Sequence, residues 1–377
     1  MSSLYFDNAA TSYPKPTEVY KACCNALLYC GGNPGRSNHD LSLQSARAVY
    51  EAREAVSELL NFYDPSRVVF APNATYALNT AILGIPGIGG KIIISDMEHN
   101  AVLRAVAEKC RRDGASYEVF RTYDGDDRKT LASLENHLNE NCRAVVINAA
   151  SNVDGRILPI KAISKLCKQR NIPVIIDASQ LLPHRIIDAK EIDFTFLCCA
   201  GHKGLLSPMG CGFSLIGINA EQFTPLTFGG NGINSMELFM GDELPERYEA
   251  GTLPVPAIAG LSAGVRFVMK HGKEIEEHTR AITDKIIDKL TEIKGVRVFH
   301  SNCGCPVISF TAEGISSDLV AEMLSKRGIC VRSGLHCAPL AHCTLGTENG
   351  GTVRISPYFA NTEIDCNHLI KSICELK

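Results

Sequence analysis

PVIIDASQLLPHRIIDAKEIDFTFLCCAGHK (residues 173–203) holds two short apolar runs, each followed at once by polar residues. Runs this short, apolar on every position and rich in Val, Ile and Phe, read as strands buried on both faces of a sheet. The first run ends on Asp177 and the second leads into Gly201-His202-Lys203. These two ionisable residues are 26 positions apart (203 − 177), about one strand–helix–strand step. Two parallel strands joined in that way end at the same edge of the sheet, so both residues reach one site.

The same texture runs through much of the chain. Residues 67–70 (RVVF), 91–95 (KIIIS), 144–148 (AVVIN), 173–177, 194–198 and 212–216 (GFSLI) are expected strands. Residues 42–61, 101–113 and 160–170 repeat apolar positions at helical spacing. Strands alternating with helices predict an α/β fold, with a mainly parallel sheet covered on both faces. After about residue 255 the pattern shifts to a long helical stretch (258–270, then 275–294), strands at 296–300 and 307–311, and a helix at 318–326. Extended pieces at 330–332 and 352–355 and a last helix from 363 complete a smaller α+β unit. The expected division is a large domain over residues 15–255 and a small one over 256–377, with residues 1–14 packing on the small one.

The net charge of −3 and the lack of a dense Lys/Arg block argue against nucleic acid or an anionic membrane as partner. No apolar run is long enough to span a bilayer, and the first residues lack the pattern of a signal peptide, so a cytoplasmic location is expected. Sixteen cysteines scattered without regular spacing then read as reduced thiols, many of them small core residues. Cys303-Gly304-Cys305 and the His336/Cys337/His342/Cys343 cluster admit a metal reading, but neither has paired Cys-x-x-Cys spacing. No metal is expected.

In parallel sheets of this kind ligands bind beyond the carboxyl ends of the strands. The residues found there are Asn73-Ala74-Thr75, Glu98-His99-Asn100, Ser151-Asn152, Asp177 to Gln180, and His202-Lys203. Each has an ordinary reading as a cap, a turn residue or a solvated cation. Together they put carboxylate, amide, imidazole and amine on one rim. A desolvated lysine suits a Schiff base, and an aspartate facing it suits a pyridinium nitrogen.

At these residues the sequence resembles the class V aminotransferases, fold-type-I pyridoxal phosphate (PLP) enzymes, and within them the cysteine desulfurase and selenocysteine lyase-like branch. The resemblance is carried by Asp7-Asn8-Ala9-Ala10-Thr11, Met97-Glu98-His99-Asn100, Ser151 to Gly155, Asp177-Ala178-Ser179-Gln180, Gly201-His202-Lys203, Glu249-Ala250-Gly251-Thr252 and Arg332 to Ala338. It implies the aspartate aminotransferase-like fold with a seven-stranded large-domain sheet.

It further implies that Lys203 carries PLP covalently, that Asp177 pairs with the ring nitrogen, that Gln180 and Asn152 lie near the ring hydroxyl, and that His99 stacks on the ring and is a candidate acid. Ala74, Thr75 and His202 would hold the phosphate, a role that a helix start suits. Thr252 would come from the other subunit of a homodimer. Arg354 would clamp the substrate carboxylate, and Arg332, Arg36 and Asn8 would complete the substrate site. The implied reaction converts L-cysteine to L-alanine and leaves a persulfide on Cys337, with an unknown protein as sulfur acceptor. Arg332 and His336 are expected to favour the Cys337 thiolate. The alternatives are L-selenocysteine as substrate or another PLP-dependent transfer or lyase reaction. Four positions depart from the family pattern: Gly35, Ala74, Ala200 and Leu335 stand where relatives often carry His, Thr, Ser and His.

Overall fold

The computed structural model describes residues 4–35, 38–217, 219–233 and 236–376. In chain order, β1 (Leu4–Tyr5), α1 (Thr17–Tyr29) and α2 (Asp40–Leu59) precede β2 (Val68–Ala71), α3 (Ala74–Leu83), β3 (Lys91–Ser95) and α4 (Asn100–Asp113). Next come β4 (Ser116–Phe120), α5 (Asp127–Glu135), β5 (Cys142–Asn148), α6 (Ile160–Lys168), β6 (Val174–Asp177), β7 (Phe196–Ala200) and β8 (Gly212–Ile216). The remainder is α7 (Val255–Thr291), β9 (Val296–Phe299), β10 (Ile308–Ala312), α8 (Ser317–Lys326), β11 (Ile329–Cys330), β12 (Arg332–Gly334), α9 (Pro339–Leu345), β13 (Thr352–Ile355) and α10 (Glu363–Cys374).

Seven strands form the large sheet in the order β2-β8-β7-β6-β5-β3-β4. All neighbours run parallel except β8, which is antiparallel to both β2 and β7. The apolar runs reflect burial on both faces. Ile93, Val145, Ile176 and Leu197 join the core shared with α2, α6 and the start of α7. Their neighbours Ile92, Ile94, Val146, Ile175 and Phe196 point the other way, into the core beneath α3 and α4. The seventh strand, β4, carries no clear sequence signal because its burial is partial: Ser116 and Tyr117 are exposed and only Phe120 is buried.

Three expectations change in the structure. The β6–β7 connection contains no α-helix; turns and a single 3₁₀ turn at Ala189–Glu191 cover it, since Pro183 interrupts what would be the helix. The strand expected from residue 194 begins later, at Phe196. The long helical stretch, expected with a gap between 270 and 275, is one unbroken helix of 37 residues. Gly272 within it costs only about 1 kcal/mol relative to alanine, which tertiary packing of the flanking turns outweighs.

That helix serves two cores. Val255, Ile258, Leu261, Val265 and Val268 pack with the large sheet. Ile282, Ile286 and Leu290 pack with Phe6, Ile308, Phe310, Val320 and Ile355 beneath the antiparallel sheet β12-β13-β10-β9. The N-terminal segment crosses between the units as a strap. β1 pairs with β11, and Phe6 enters the smaller core while Ala9 enters the larger.

Candidate active site

The ends of β5, β6 and β7 lie side by side, with Asn148 opposite Asp177 and Asp177 opposite Cys198. Beyond them is a cavity of about 170 Å³. Lys203, Asp177, His99, Gln180, Asn152, Ala74, Thr75, His202, Arg332 and Arg354 all line it. The structure thus gathers at one place residues that are up to 280 positions apart in the chain (354 − 74).

Lys203 sits on a tight turn after β7. A Cβ on Gly201 would lie 2.8 Å from the Cys211 carbonyl oxygen, so only glycine lets the chain turn there. The strap clamps the turn from outside: Ser12 Oγ donates to the Lys203 carbonyl (2.7 Å), and Lys15 Nζ donates to that of His202 (2.9 Å). Burial lowers the Lys203 ammonium pKa, and the Asp177 carboxylate opposes that effect. Asp177 is 8% exposed and accepts a bond from the Ser179 amide (3.0 Å).

His99 is the N-cap of α4, its Nδ1 accepting from the Ala101 amide (3.0 Å). An accepting Nδ1 leaves the proton of the neutral ring on Nε2. Burial, reinforced by nearby Lys203, lowers its pKa to about 4, so the ring is neutral at pH 7. The preceding residue, Glu98, has a role that sequence reasoning missed. It is fully buried, with Oε1 accepting from Ser95 Oγ and from the Asn148 amide (2.8 Å). Burial pushes its pKa up to about 8, so at pH 7 it is largely a neutral acid beside the Asp177 strand end. Its adjacency to His99 in a polar loop gives no sign of which of the two faces inward.

Arg332 and Arg354 are register partners across β12 and β13. Like charges directly opposite in a ladder repel, and among the described residues only one of the two is answered, by Asp7 Oδ1 at 2.9 Å from Arg354 Nη2. Arg354 also donates to the Asn152 carbonyl (3.2 Å) and is 2% exposed. The pair is a natural seat for a carboxylate. Nothing in the sequence assigns Asp7 a role; its job as counter-ion becomes visible only when the strap is folded against β13.

Cys337 is exposed and does not line the cavity, but its loop bounds it. His336 and Cys337 both have left-handed backbone, φ 47 and 56, a conformation that costs a non-glycine residue about 1–3 kcal/mol. Bonds from three directions hold it there. Asn152 Nδ2 donates to the His336 carbonyl (2.7 Å), the Asn100 amide to that of Cys337 (2.6 Å), and His336 Nε2 meets Thr352 Oγ1 (3.0 Å).

The expectation that His336 favours a thiolate is corrected. The ring is 4% exposed, and burial drives its pKa down to about 2, so it carries no charge. Arg332 is the exposed cation of that loop. His342 is buried with Nδ1 at 2.7 Å from Thr347 Oγ1, and Cys343 is exposed. Among the described residues no group of His, Cys, Asp and Glu is arranged to hold a metal ion.

Besides Cys337, two expected residues, Asn8 and Thr252, are not brought into the cavity. Asn8 uses its amide to tie the strap to the end of β13, donating to the Ser356 carbonyl (2.9 Å) and accepting from the Tyr13 amide (3.1 Å). It borders a small neighbouring pocket instead. Thr252 is exposed outside the cavity, just ahead of α7. Arg36 lies outside the described residues.

The cavity fits a PLP-sized polar ligand on its own evidence. Asn152 Oδ1, His202 Nδ1 and Arg354 Nε are buried polar atoms without a partner among the described residues, and their residues all line it. Leaving such an atom unsatisfied costs about 1–3 kcal/mol, so a group that meets them is strongly favoured. At α3, Asn73 Oδ1 caps the Tyr76 amide (2.9 Å), while the first-turn amides of Ala74 and Thr75 have no acceptor within the helix, the arrangement that binds phosphate. Glycine at 212 lets this turn sit on β8, since a Cβ there would lie 2.9 Å from the Asn73 carbonyl carbon.

A probable cysteine desulfurase of Pyrococcus abyssi is 31% identical over 375 residues, spanning 95% of this chain and 90% of the relative. One from Halalkalibacterium halodurans is 29% identical, spanning 99% and 93%. The apo structure of cysteine desulfurase from Thermococcus onnurineus NA1 superposes with a TM-score of 0.92 at 29% identity, over 99% of this chain and 94% of that one. The family model Aminotransferase class-V matches residues 4–369; the chain belongs to that family.

Proposed function

We propose that the protein is a PLP-dependent cysteine desulfurase, converting L-cysteine to L-alanine and leaving the sulfur as a persulfide on Cys337. The observation that carries this reading is the joining, at one cavity, of buried Lys203 and Asp177 with an arginine pair suited to a carboxylate, bounded by a loop that carries a tethered, exposed cysteine. The naming of the relatives as probable cysteine desulfurases and the family membership support it.

Lys203 would hold PLP covalently, Asp177 would keep its ring nitrogen protonated, and the turn at Ala74-Thr75 with His202 would hold its phosphate. When bound, PLP supplies an electron sink for negative charge at the substrate α-carbon. Arg354 and Arg332 orient the amino acid by its carboxylate. Lys203 Nζ, its pKa lowered by burial, removes the α-proton. His99, neutral with its proton on Nε2, offers a hydrogen-bond donor at the cavity. Cys337 Sγ, as thiolate, bonds to the substrate sulfur while the substrate Cβ–S bond breaks. A proton from solvent at Cβ and return of the α-proton by Lys203 Nζ complete alanine, and the sulfur stays on Cys337 as a persulfide.

A homodimer supports completion of the phosphate site by Thr252 of a second copy. The exposed apolar side chains Leu27, Leu28, Tyr29 and Met209 offer surface for such an interface. Exposure of Cys337 allows a protein acceptor to reach the persulfide. The test is release of alanine and sulfide from L-cysteine by purified protein, alongside Cys337→Ala. Full activity of that variant on cysteine overturns the role of Cys337. Activity confined to L-selenocysteine turns the reading to selenocysteine lyase.

A further inference from the structure

A second cavity, of about 280 Å³, lies away from the first, where the later turns of α7 meet the loop joining β9 to β10 and the β6–β7 connection. One stripe of α7 faces it with Glu276, Arg280, Asp284 and Asp288 at successive four-residue steps. Glu276 and Arg280 satisfy each other at 2.6 Å. Asp284 and Asp288 make no ion pair among the described residues, and neither does Arg185, which enters from the β6–β7 connection. Deeper in the wall Thr279 is 2% exposed and its Oγ1 has no partner. His300 Nδ1, also on the lining, is buried and unpartnered too.

These groups define a ligand by elimination. A simple anion attracted to Arg185 would face two unanswered carboxylates, and a simple cation drawn to those carboxylates would face Arg185. A molecule carrying both charges satisfies both, and Thr279 and His300 can take its remaining hydrogen bonds. Ile287, Pro306 and Val307 leave room for a short apolar or thiol side chain.

We propose that this cleft is a second binding site for a free α-amino acid with a small side chain, its carboxylate on Arg185 and its ammonium on Asp284 and Asp288. The site is wired to the first. The Ser301 amide donates to the Asp154 carbonyl (2.9 Å) and that of Cys305 to the Gly155 carbonyl (2.8 Å). No side chain could be added between them, because a Cβ on Gly155 would lie 2.4 Å from the Cys305 oxygen. The same turn carries Asn152, which holds the His336 carbonyl next to Cys337. Occupancy of the cleft therefore bears on the loop that presents the nucleophile.

The test is calorimetric titration of the holoenzyme with L-alanine, with cofactor absorbance followed in parallel. Two binding events are expected, one that shifts the absorbance and one that does not. Arg185→Gln, and separately Asp284→Asn with Asp288→Asn, should weaken the silent event about tenfold or more, the worth of charged hydrogen bonds, and leave the absorbance event intact. All three residues are exposed, so these variants keep the fold. Propionate and propylamine should fail to displace L-alanine from the silent site. A single event, a silent event indifferent to both variants, or equal binding of propionate or propylamine overturns the proposal. If no cofactor absorbance exists at all, the desulfurase reading fails while the calorimetric comparison of variants still decides the cleft.

Discussion

At the ends of β5, β6 and β7 the functional side chains stand on a sheet ladder: Asn148, Asp177 and the turn to Lys203 are held by paired backbone and two packed cores. The loop carrying Cys337 runs from a short strand, β12, to a short helix, α9, and holds two residues in a strained left-handed conformation. Its shape is imposed from outside, by Asn152, Asn100 and Thr352. Under the proposed function the rim keeps its geometry through the reaction, whereas Cys337 would have to reach first the substrate and then a sulfur acceptor. A rigid platform and a tethered, strained loop divide those tasks.

The strongest challenge to this contrast is Lys203→Ala. Loss of general-base catalysis alone is worth roughly 10²–10⁴-fold, and loss of the cofactor attachment should take alanine release to background. Cys337→Ala should separate the regions: sulfide formation from cysteine drops to background while the cofactor absorbance is unchanged, because no rim residue is touched. A parallel loss of absorbance would show that the loop is part of the platform. Arg354→Gln should raise KM for cysteine about 10- to 100-fold, the worth of charge-assisted hydrogen bonds of about 1.5–3 kcal/mol. An unchanged KM would leave the carboxylate with another partner.

Acid should weaken the platform. Burial lowers the pKa of His99, His184 and His202 from 6.5 to about 4. Each is neutral when folded but charged when unfolded between those values, so its stabilising effect is full above pH 6.5 and is lost as pH falls to about 4. The melting temperature should decline over that window, and His184→Phe should flatten the decline. The smallest effect belongs to Thr352→Val, which removes the bond to His336 and costs about 1 kcal/mol. It should slow persulfide formation on Cys337 several-fold more than it alters cofactor absorbance.

Much of the platform was legible because its signals are local. KIIIS, AVVIN and PVIID can hardly be anything but doubly covered strands, and the polar residues after each one must lie at the ligand-binding edge. β4 was not legible because a half-exposed edge strand has no continuous apolar run. The join between the two halves of α7 was obscured by Gly272, a weak local signal that packing overrides. His336 looked like a charged helper for Cys337 because sequence shows proximity along the chain and not burial.

Residue type and order alone determined the α/β architecture, the rim of strand-end polar groups and the pairing of a lysine with an aspartate across one ligand. Burial patterns repeat along the chain, and chemistry-bearing residues announce themselves at the ends of those repeats. Tertiary structure decided the rest: that Asp7 answers Arg354, that Glu98 is a buried acid, that Asn8 is spent tying the strap to β13, and that His336 is neutral. These depend on which distant segments meet and how much water is left between them, and desolvation and hydrogen bonding across the fold set both.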